Sequence, residues 1–443
     1  MGSSGGLTAA GAAHAGPDVP GGRRCGKLCC VSVSPPSVSP PSGSAVITKP
    51  SPVARRARGA VAALFFVNGA VFANVVPRYP ELKAGLALSN TAFGSAVAAY
   101  GFGALLLGLA AGWLVTRWGS ARIAPASTIL LSLNLVLLGV APSWWALALA
   151  LFLAGSGDSV ADIAVNAHGL RVERLYRRSI LNAFHGVWSV GAVVGGAMGA
   201  TAAGLEIPLL WHLSVAGVVF AGVAVLLSRL LLRGPDDTER APAGSQPSGP
   251  RRWPLIAKIA ALGLIAGSAQ LIEEVGATWS AVYLREDLGT AAAVAGLGFI
   301  TLQAAQTVGR LLGDRLVTRY GDRTVARGGA TMACLAMVAA LAVPSPVLTI
   351  IGFGLAGLGI GTLIPASMRT VDEIPGLPPG VGLTLVGTVI RVGLFMAPPV
   401  VGLIADNASL RAGLILVPAA AALVVVLSPA LLVRRVPSHA THP

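Results

Sequence analysis

Leu114-Val-Thr-Arg-Trp-Gly119 and Leu316-Val-Thr-Arg-Tyr-Gly321 are near-copies of one phrase, set 202 residues apart in a chain of 443. Each copy ends a long apolar run, and another apolar run begins directly after it. A junction repeated at half-chain spacing implies two halves built on one plan. Among membrane proteins that plan is typical of secondary transporters.

The wider phrases are Gly112-Trp-Leu-Val-Thr-Arg-Trp-Gly-Ser-Ala-Arg122 and Gly313-Asp-Arg-Leu-Val-Thr-Arg-Tyr-Gly-Asp-Arg323. Gly119 and Gly321 allow a tight reversal at positive φ. Arg117, Arg315 and Arg319 sit where a helix C-terminus favours cations. They also face the layer where anionic lipid headgroups lie.

Composition agrees with a bilayer as the solvent. The chain is 54% hydrophobic and only 11% charged, with a mean hydropathy of +0.75. Soluble chains carry about 25% charged residues, and so little charge could not cover a water-facing surface. The net charge of +14 falls in short loops between apolar runs, as cytoplasmic loops of membrane proteins require. No polar domain interleaves basic and aromatic residues, so a nucleic-acid partner is not expected. Cys25, Cys29 and Cys30 lie in the polar leader and Cys334 in an apolar run. That spacing supplies neither a disulfide framework nor a full zinc ligand set; no metal or cofactor is expected.

Residues 1–55 are rich in Gly, Ser and Pro and are expected to be a disordered tail. They contain no continuous apolar stretch of the kind a signal peptide needs. They are a cytoplasmic tail or an extension from a start codon placed too early. Apolar runs of about 20 residues, the length that crosses a hydrocarbon core, follow near 59–77, 92–115, 121–142, 144–168, 181–203, 208–232, 254–275 (reaching 284 at most), 291–313, 324–344, 347–368, 380–404 and 412–433. Each must be helical, because lipid offers no partner to free backbone groups. The Pro/Gly-rich stretch 234–252 reads as a cytoplasmic linker between a bundle over 56–233 and a second over 253–436, with a short tail at 437–443. Arginines crowd alternate loops, from Arg55 and Arg56 to Arg434 and Arg435. The other loops hold only Arg78, Lys83, Arg285 and Arg411. That asymmetry places both termini in the cytoplasm and requires an even number of spans.

The repeated loop resembles the signature of the major facilitator superfamily, Gly-x-Leu-Ala-Asp-Arg-x-Gly-Arg-Arg. The family's acid is replaced by Thr116 and Thr318, so its charged latch must be rebuilt; Asp314 is the candidate in the second half. Phe65-Phe-Val-Asn-Gly69, Leu88-Ser-Asn-Thr-Ala-Phe-Gly94, Asp162-Ile-Ala-Val-Asn166, Phe184-His-Gly-Val-Trp-Ser189, Glu274-x3-Thr-Trp-Ser-Ala-Val-Tyr283 and Gly309-Arg-Leu-Leu-Gly-Asp314 resemble a bacterial branch related to fucose-type sugar permeases. The resemblance implies an all-α membrane fold of twelve helices in two pseudosymmetric bundles, alternating access, and a bacterial plasma membrane location. A monomer is expected. The expected partners are a small solute, protons and the lipid bilayer.

Polar residues inside the spans are the candidate pathway. Asp158, Asp162 and Asn166 share one face of span four. Charge at the bilayer midplane costs about 2.5–3.5 kcal/mol on insertion scales, so this face must meet protein or water. Asp162 is the candidate proton site; the alternative is a polar patch that cements packing. Asn182, His185 and Ser189 share a face of span five, where His185 is a titratable ligand or an interhelical donor. In span seven Gln270, Glu274 and Thr278 align, with Glu273 about 100° away. Glu274 is the preferred pathway acid, the alternative being acids solvated near the outer surface. Arg391 follows Thr384 and Thr388 in span eleven. It either pairs with Glu273 or Glu274, the preferred reading, or binds a substrate anion. Asn68, Gln303 and Gln306 suit a polar solute or hold helices together. Pro398-Pro399 and the glycines from Gly352 to Gly361 suggest bent or closely packed helices.

An intramembrane enzyme would need a nucleophile with its base, or metal ligands, on neighbouring spans. No His-Glu-x-x-His or nucleophile elbow is present, and Gly195-Gly-Ala-Met-Gly-Ala lacks the Lys of a P-loop. Uptake of a sugar-like solute is preferred through family resemblance alone; efflux of drugs or metabolites and a non-transporting sensor are the rivals. A reporter active only in the cytoplasm should give full signal when fused to either terminus, and none when inserted near Arg285.

Overall fold

The computed structural model describes residues 51–176, 180–234, 253–374, 377 and 381–432. Twelve helices are long and apolar enough to cross a membrane. They are α1 (Pro52–Val75), α2 (Asn90–Trp118), α3 (Ser120–Gly139), α4 (Trp144–Tyr176), α5 (Leu181–Gly204), α6 (Leu209–Ser228), α7 (Trp253–Val282), α8 (Leu297–Tyr320), α9 (Asp322–Ala342), α10 (Pro346–Ile360 continuing as Leu363–Asp372), α11 (Val381–Asn407) and α12 (Leu410–Gly413 continuing as Leu416–Leu427). All regular structure among the described residues is helical. Most of the expected linker, residues 1–50 and 437–443 of the expected tails, and Cys25, Cys29 and Cys30 lie outside the described residues; residues 52–55, expected in the disordered tail, are instead the first turn of α1.

Helix ends follow local chemistry. Ser51 and Ser89 accept backbone N–H groups of Ala54 and Ala92 at 3.1 and 3.2 Å, which satisfies donors at two N-termini. α2 and α8 end in the same way: Gly119 at φ +83° and Gly321 at φ +81°. Their N–H groups bond Val115 and Val317 carbonyls, both at 2.8 Å. The sequence repeat is therefore a backbone repeat.

Several expected spans reach further than read: α1 begins at Pro52 and not 59, and α8 ends at Tyr320 and not 313. α4 runs on to Tyr176 because its last turns are amphipathic rather than apolar. α7 continues through a π-helical turn, Tyr283–Asp287, past the expected limit of 284. α10 breaks at Gly361-Thr362, just before Pro365, which has no N–H to give back to the preceding turn. α11 stays helical through Pro398 and Pro399.

Packing repeats between the halves. α1 lies on α5, α2 on α4, and α3 on both α4 and α6; α7 lies on α11, α8 on α10, and α9 on both α10 and α12. The contacts between the first six and last six helices are mainly α2 with α11 and α5 with α8. Close approach relies on absent side chains. Gly191, Gly195 and Gly199 of α5 face the backbone of Phe66, Ala70 and Asn74 on α1, and a Cβ on any of them would collide with a carbonyl. Small residues at four-residue spacing let helices touch in lipid, where no hydrophobic force drives association.

An even number of crossings returns the chain to the side where it began. We call that side the terminal face and the other the distal face. Gly119 and Gly321 have open space where a Cβ would stand, so only their φ angles demand glycine. Gly119→Ala and Gly321→Ala should each destabilise the protein by about 1–3 kcal/mol, read as similar drops in Tm in detergent.

Candidate functional site

Four helices of the first half meet at Asp158. Asn68 (α1) donates its Nδ2 to Asp158 Oδ1 at 2.8 Å, and the Tyr100 hydroxyl (α2) donates to Oδ2 at 2.9 Å. Trp188 (α5) donates Nε1 to Asn68 Oδ1 at 2.8 Å. Asn68 is buried, and both its amide ends are used. The four side chains form one chain, Trp188–Asn68–Asp158–Tyr100, in which both carboxylate oxygens have a donor. This is how a half-buried acid is held near the middle of a spanning helix.

Asp162 and Asn166, on the same side of α4 one and two turns along, form a separate group. Asn166 Nδ2 donates to Asp162 Oδ1 at 2.8 Å, and Asn166 Oδ1 lies 3.1 Å from His185 Nε2 on α5. An amide oxygen only accepts, so His185 is the donor in this orientation. Asp162 and His185 are exposed, whereas Asp158 is enclosed by its donors. The shared face expected from spacing thus divides into an internal network and an open wall.

In the second half, Glu274 is buried and takes the Thr278 hydroxyl at 3.0 Å. Gln270, a turn earlier, is half-buried beside α11. Glu273 points to α8 instead. Gln306 Nε2 donates to Glu273 Oε2 at 2.7 Å, and Arg310 NH2 stands 3.7 Å from the same oxygen. The expected pairing of Arg391 with Glu273 or Glu274 is therefore corrected. Arg310, on a neighbouring helix, is the cation at Glu273, while Arg391 is exposed on α11 with no ion pair among the described residues. Gln303 is buried, and its Oε1 has no hydrogen-bond partner among the described residues. His185 and Ser189 from the first half and Thr307, Arg310 and Asp314 from the second line a cavity of about 310 Å³.

The loop latch also differs from expectation. Asp314 is exposed, its backbone oxygen accepts the Thr318 hydroxyl, and its carboxylate makes no ion pair among the described residues. The acid that pairs is Asp322, the residue after Gly321. It is buried and accepts from Arg369 at 2.7 Å. The matching position in the first half is Ser120, 2.8 Å from Nδ1 of the fully buried His168. His168 Nε2 accepts the Leu232 N–H at 3.1 Å, and in the second half the Thr370 hydroxyl accepts the Leu432 N–H at 3.4 Å. His168 is thus a packing residue between α3, α4 and the end of α6. Arg117, Arg315 and Arg319 are exposed at the terminal face, with Gly112 five residues before Arg117 and Gly313 six before Arg319. Among the described residues no group of three or more His, Cys, Asp or Glu could hold a metal ion.

The distal side is sealed across the halves. Asp406, at the end of α11, accepts the N–H groups of Asn90 and Thr91 at 2.9 and 2.8 Å. It thereby caps α2, where a helix N-terminus favours negative charge. Lys83 pairs with Glu286, and Phe93 meets Trp279 edge to face at 5.7 Å. Pro398's carbonyl lies where a side chain on Gly94 would stand. Toward the terminal face these contacts give way to the cavity.

Sequence reading did not find Tyr100, Arg310, Asp322 or Arg369. Arg310 and Asp322 were visible beside recognised phrases, in Gly309-Arg and Gly321-Asp; Tyr100 carried no signal.

The profile of the Major Facilitator Superfamily matches residues 61–272 and 262–443. An uncharacterized transporter of Sinorhizobium fredii is 32% identical over 84% of this chain and 97% of its own length. The membrane protein MosC of Rhizobium meliloti is 27% identical over 72% of this chain and 77% of its own. Among solved structures, a bacterial homolog of the human lysosomal transporter Spinster, inward-facing and unoccupied, superposes with a TM-score of 0.67 at 14% identity, covering 86% of this chain and 98% of that one. The nucleoside transporter NupG gives 0.66 at 14% identity over 84% and 97%. At that identity the likeness shows the fold alone. Tyr100→Phe leaves one oxygen of Asp158 without its donor and should cost about 1.5–3 kcal/mol, the range for hydrogen bonds to charged groups, measured as a lower Tm.

Proposed function

Because the chain belongs to the major facilitator superfamily, we propose that it moves a small polar solute by alternating access and couples that movement to protons. The family and its relatives make it a multi-pass membrane transporter; solute, coupling and mechanism are our reading. One observation carries that reading. Polar and charged side chains of both halves, among them His185, Arg310 and Asp314, line a cavity, while other contacts join the halves at the distal face.

The arginine asymmetry of the loops supports a cytoplasmic terminal face, which makes this an inward-open state. Solute would meet His185 and Ser189 on one wall and Thr307, Arg310 and Asp314 on the other. Asp162 is exposed and is linked through Asn166 to His185 of that wall, and it is assigned proton exchange. Asp158, held by two donors, is assigned the signal between helices: losing its charge would loosen its hold on α1 and α2. Glu274 is the matching acid in the second half. To open the distal face, the halves must part at Lys83–Glu286, Asp406–Asn90 and Phe93–Trp279 while closing over His185 and Arg310. A sugar-like solute is favoured by the resemblance to fucose-type permeases, and the amide and hydroxyl groups of the cleft suit hydroxyl-rich molecules.

In liposomes with an internal pH dye, external L-fucose, D-galactose or D-glucose should acidify the lumen. Asp162→Asn should slow that acidification at least tenfold yet retain exchange of labelled solute. Exchange without proton movement in the unmodified protein would refute coupling, and no exchange of any of the three sugars would refute the solute class.

A further inference from the structure

Two cavities outside the cleft meet at Trp118. One lies at the terminal face against the α2–α3 turn and the chain after α6. It encloses about 670 Å³ and is lined by Arg117, Arg122 and Arg233. The other is a groove of about 710 Å³ on the outer flank of α2, α3 and α4, walled mainly by side chains such as Leu107, Leu114, Leu130 and Leu153. Trp118 lines both.

We propose that the joined cavities are a binding site for one anionic glycerophospholipid of the terminal-face leaflet, its phosphate among the three arginines and an acyl chain in the groove. Charge is the first argument. None of the three guanidinium groups has a carboxylate partner among the described residues, and the cavity has no acidic lining residue. The arginine fork matches phosphate oxygens. The second half differs in part: Arg319, the counterpart of Arg117, also has no ion pair among the described residues, but other arginines of that face are engaged. There Arg323 is committed to the Pro429 carbonyl, Arg327 to Ser428, and Arg369 to Asp322. Length is the second argument. The groove follows α3 from Ile123 to Leu137, which at 1.5 Å per residue is about 21 Å. One leaflet of a hydrocarbon core is about 15 Å deep, so a full-length chain fits and a short one leaves the groove part-filled. An indole at the junction is the residue type that lipid–water interfaces favour. The site rests on membrane location and is independent of the transport reading.

Native mass spectrometry of the purified full chain with dioleoyl-phosphatidylglycerol and dioleoyl-phosphatidylcholine tests it. The unmodified protein should retain the anionic lipid over the zwitterionic one. The triple variant R117Q/R122Q/R233Q should lose at least five-fold of that retention, with the zwitterionic lipid unchanged, and R117K/R122K/R233K should keep most of it. A Cβ at Gly157 would stand at ordinary contact distance, 3.6 Å, from Leu131, so Gly157→Leu should fill the groove and fold. It should weaken dioleoyl-phosphatidylglycerol but not the dihexanoyl form. Equal retention of the two lipids, an unchanged glutamine triple variant, a Gly157→Leu variant without chain-length effect, or displacement of the lipid by glycerol phosphate at equal concentration would each overturn the proposal.

Discussion

A carboxylate inside a bilayer must be given partners or water, and the arrangement of this molecule follows from that constraint. Asp158 is given partners: two donors from two helices, one of them braced by a third. Glu274 has a threonine one turn along its own helix, and Glu273 has a glutamine and an arginine from α8. Asp162 has one amide and is otherwise exposed. The cost of an unpaired charge in hydrocarbon thus sorts the acids into two that tie helices together, Asp158 and Glu273, one held within its own helix, Glu274, and one exposed, Asp162.

The two halves share a backbone plan but not a chemistry. The glycine turns superimpose in φ and in hydrogen bonding. Around them, a neutral serine–histidine contact in one half stands where an aspartate–arginine pair stands in the other. His168 and Thr370 each hold the backbone that follows the last helix of their half. Duplication therefore preserved the geometry of the terminal-face turn, while the groups that fasten it diverged.

The seal between the halves is made of contacts that are strong only when aligned. A carboxylate capping a helix N-terminus, a lysine–glutamate pair and an edge-to-face aromatic pair all depend on position to within an ångström or so. Around them the glycines bring backbones into contact without interlocking side chains.

The sequence alone determined the number of crossings, the halving of the chain and the two turns. These depend on runs of apolar residues, on loop charge and on glycine, all local properties. Its placement of Asp158, Asp162 and Asn166 on one side of a helix was also local and held. Which acid is enclosed and which is open, that Arg310 and not Arg391 stands by Glu273, and that Asp322 supplies the latch were decided only by the tertiary structure. Helical spacing fixes the direction of a side chain around its own axis. The partner it meets depends on the rotation and tilt of a neighbouring helix, which close packing of small residues sets and no single stretch of sequence records.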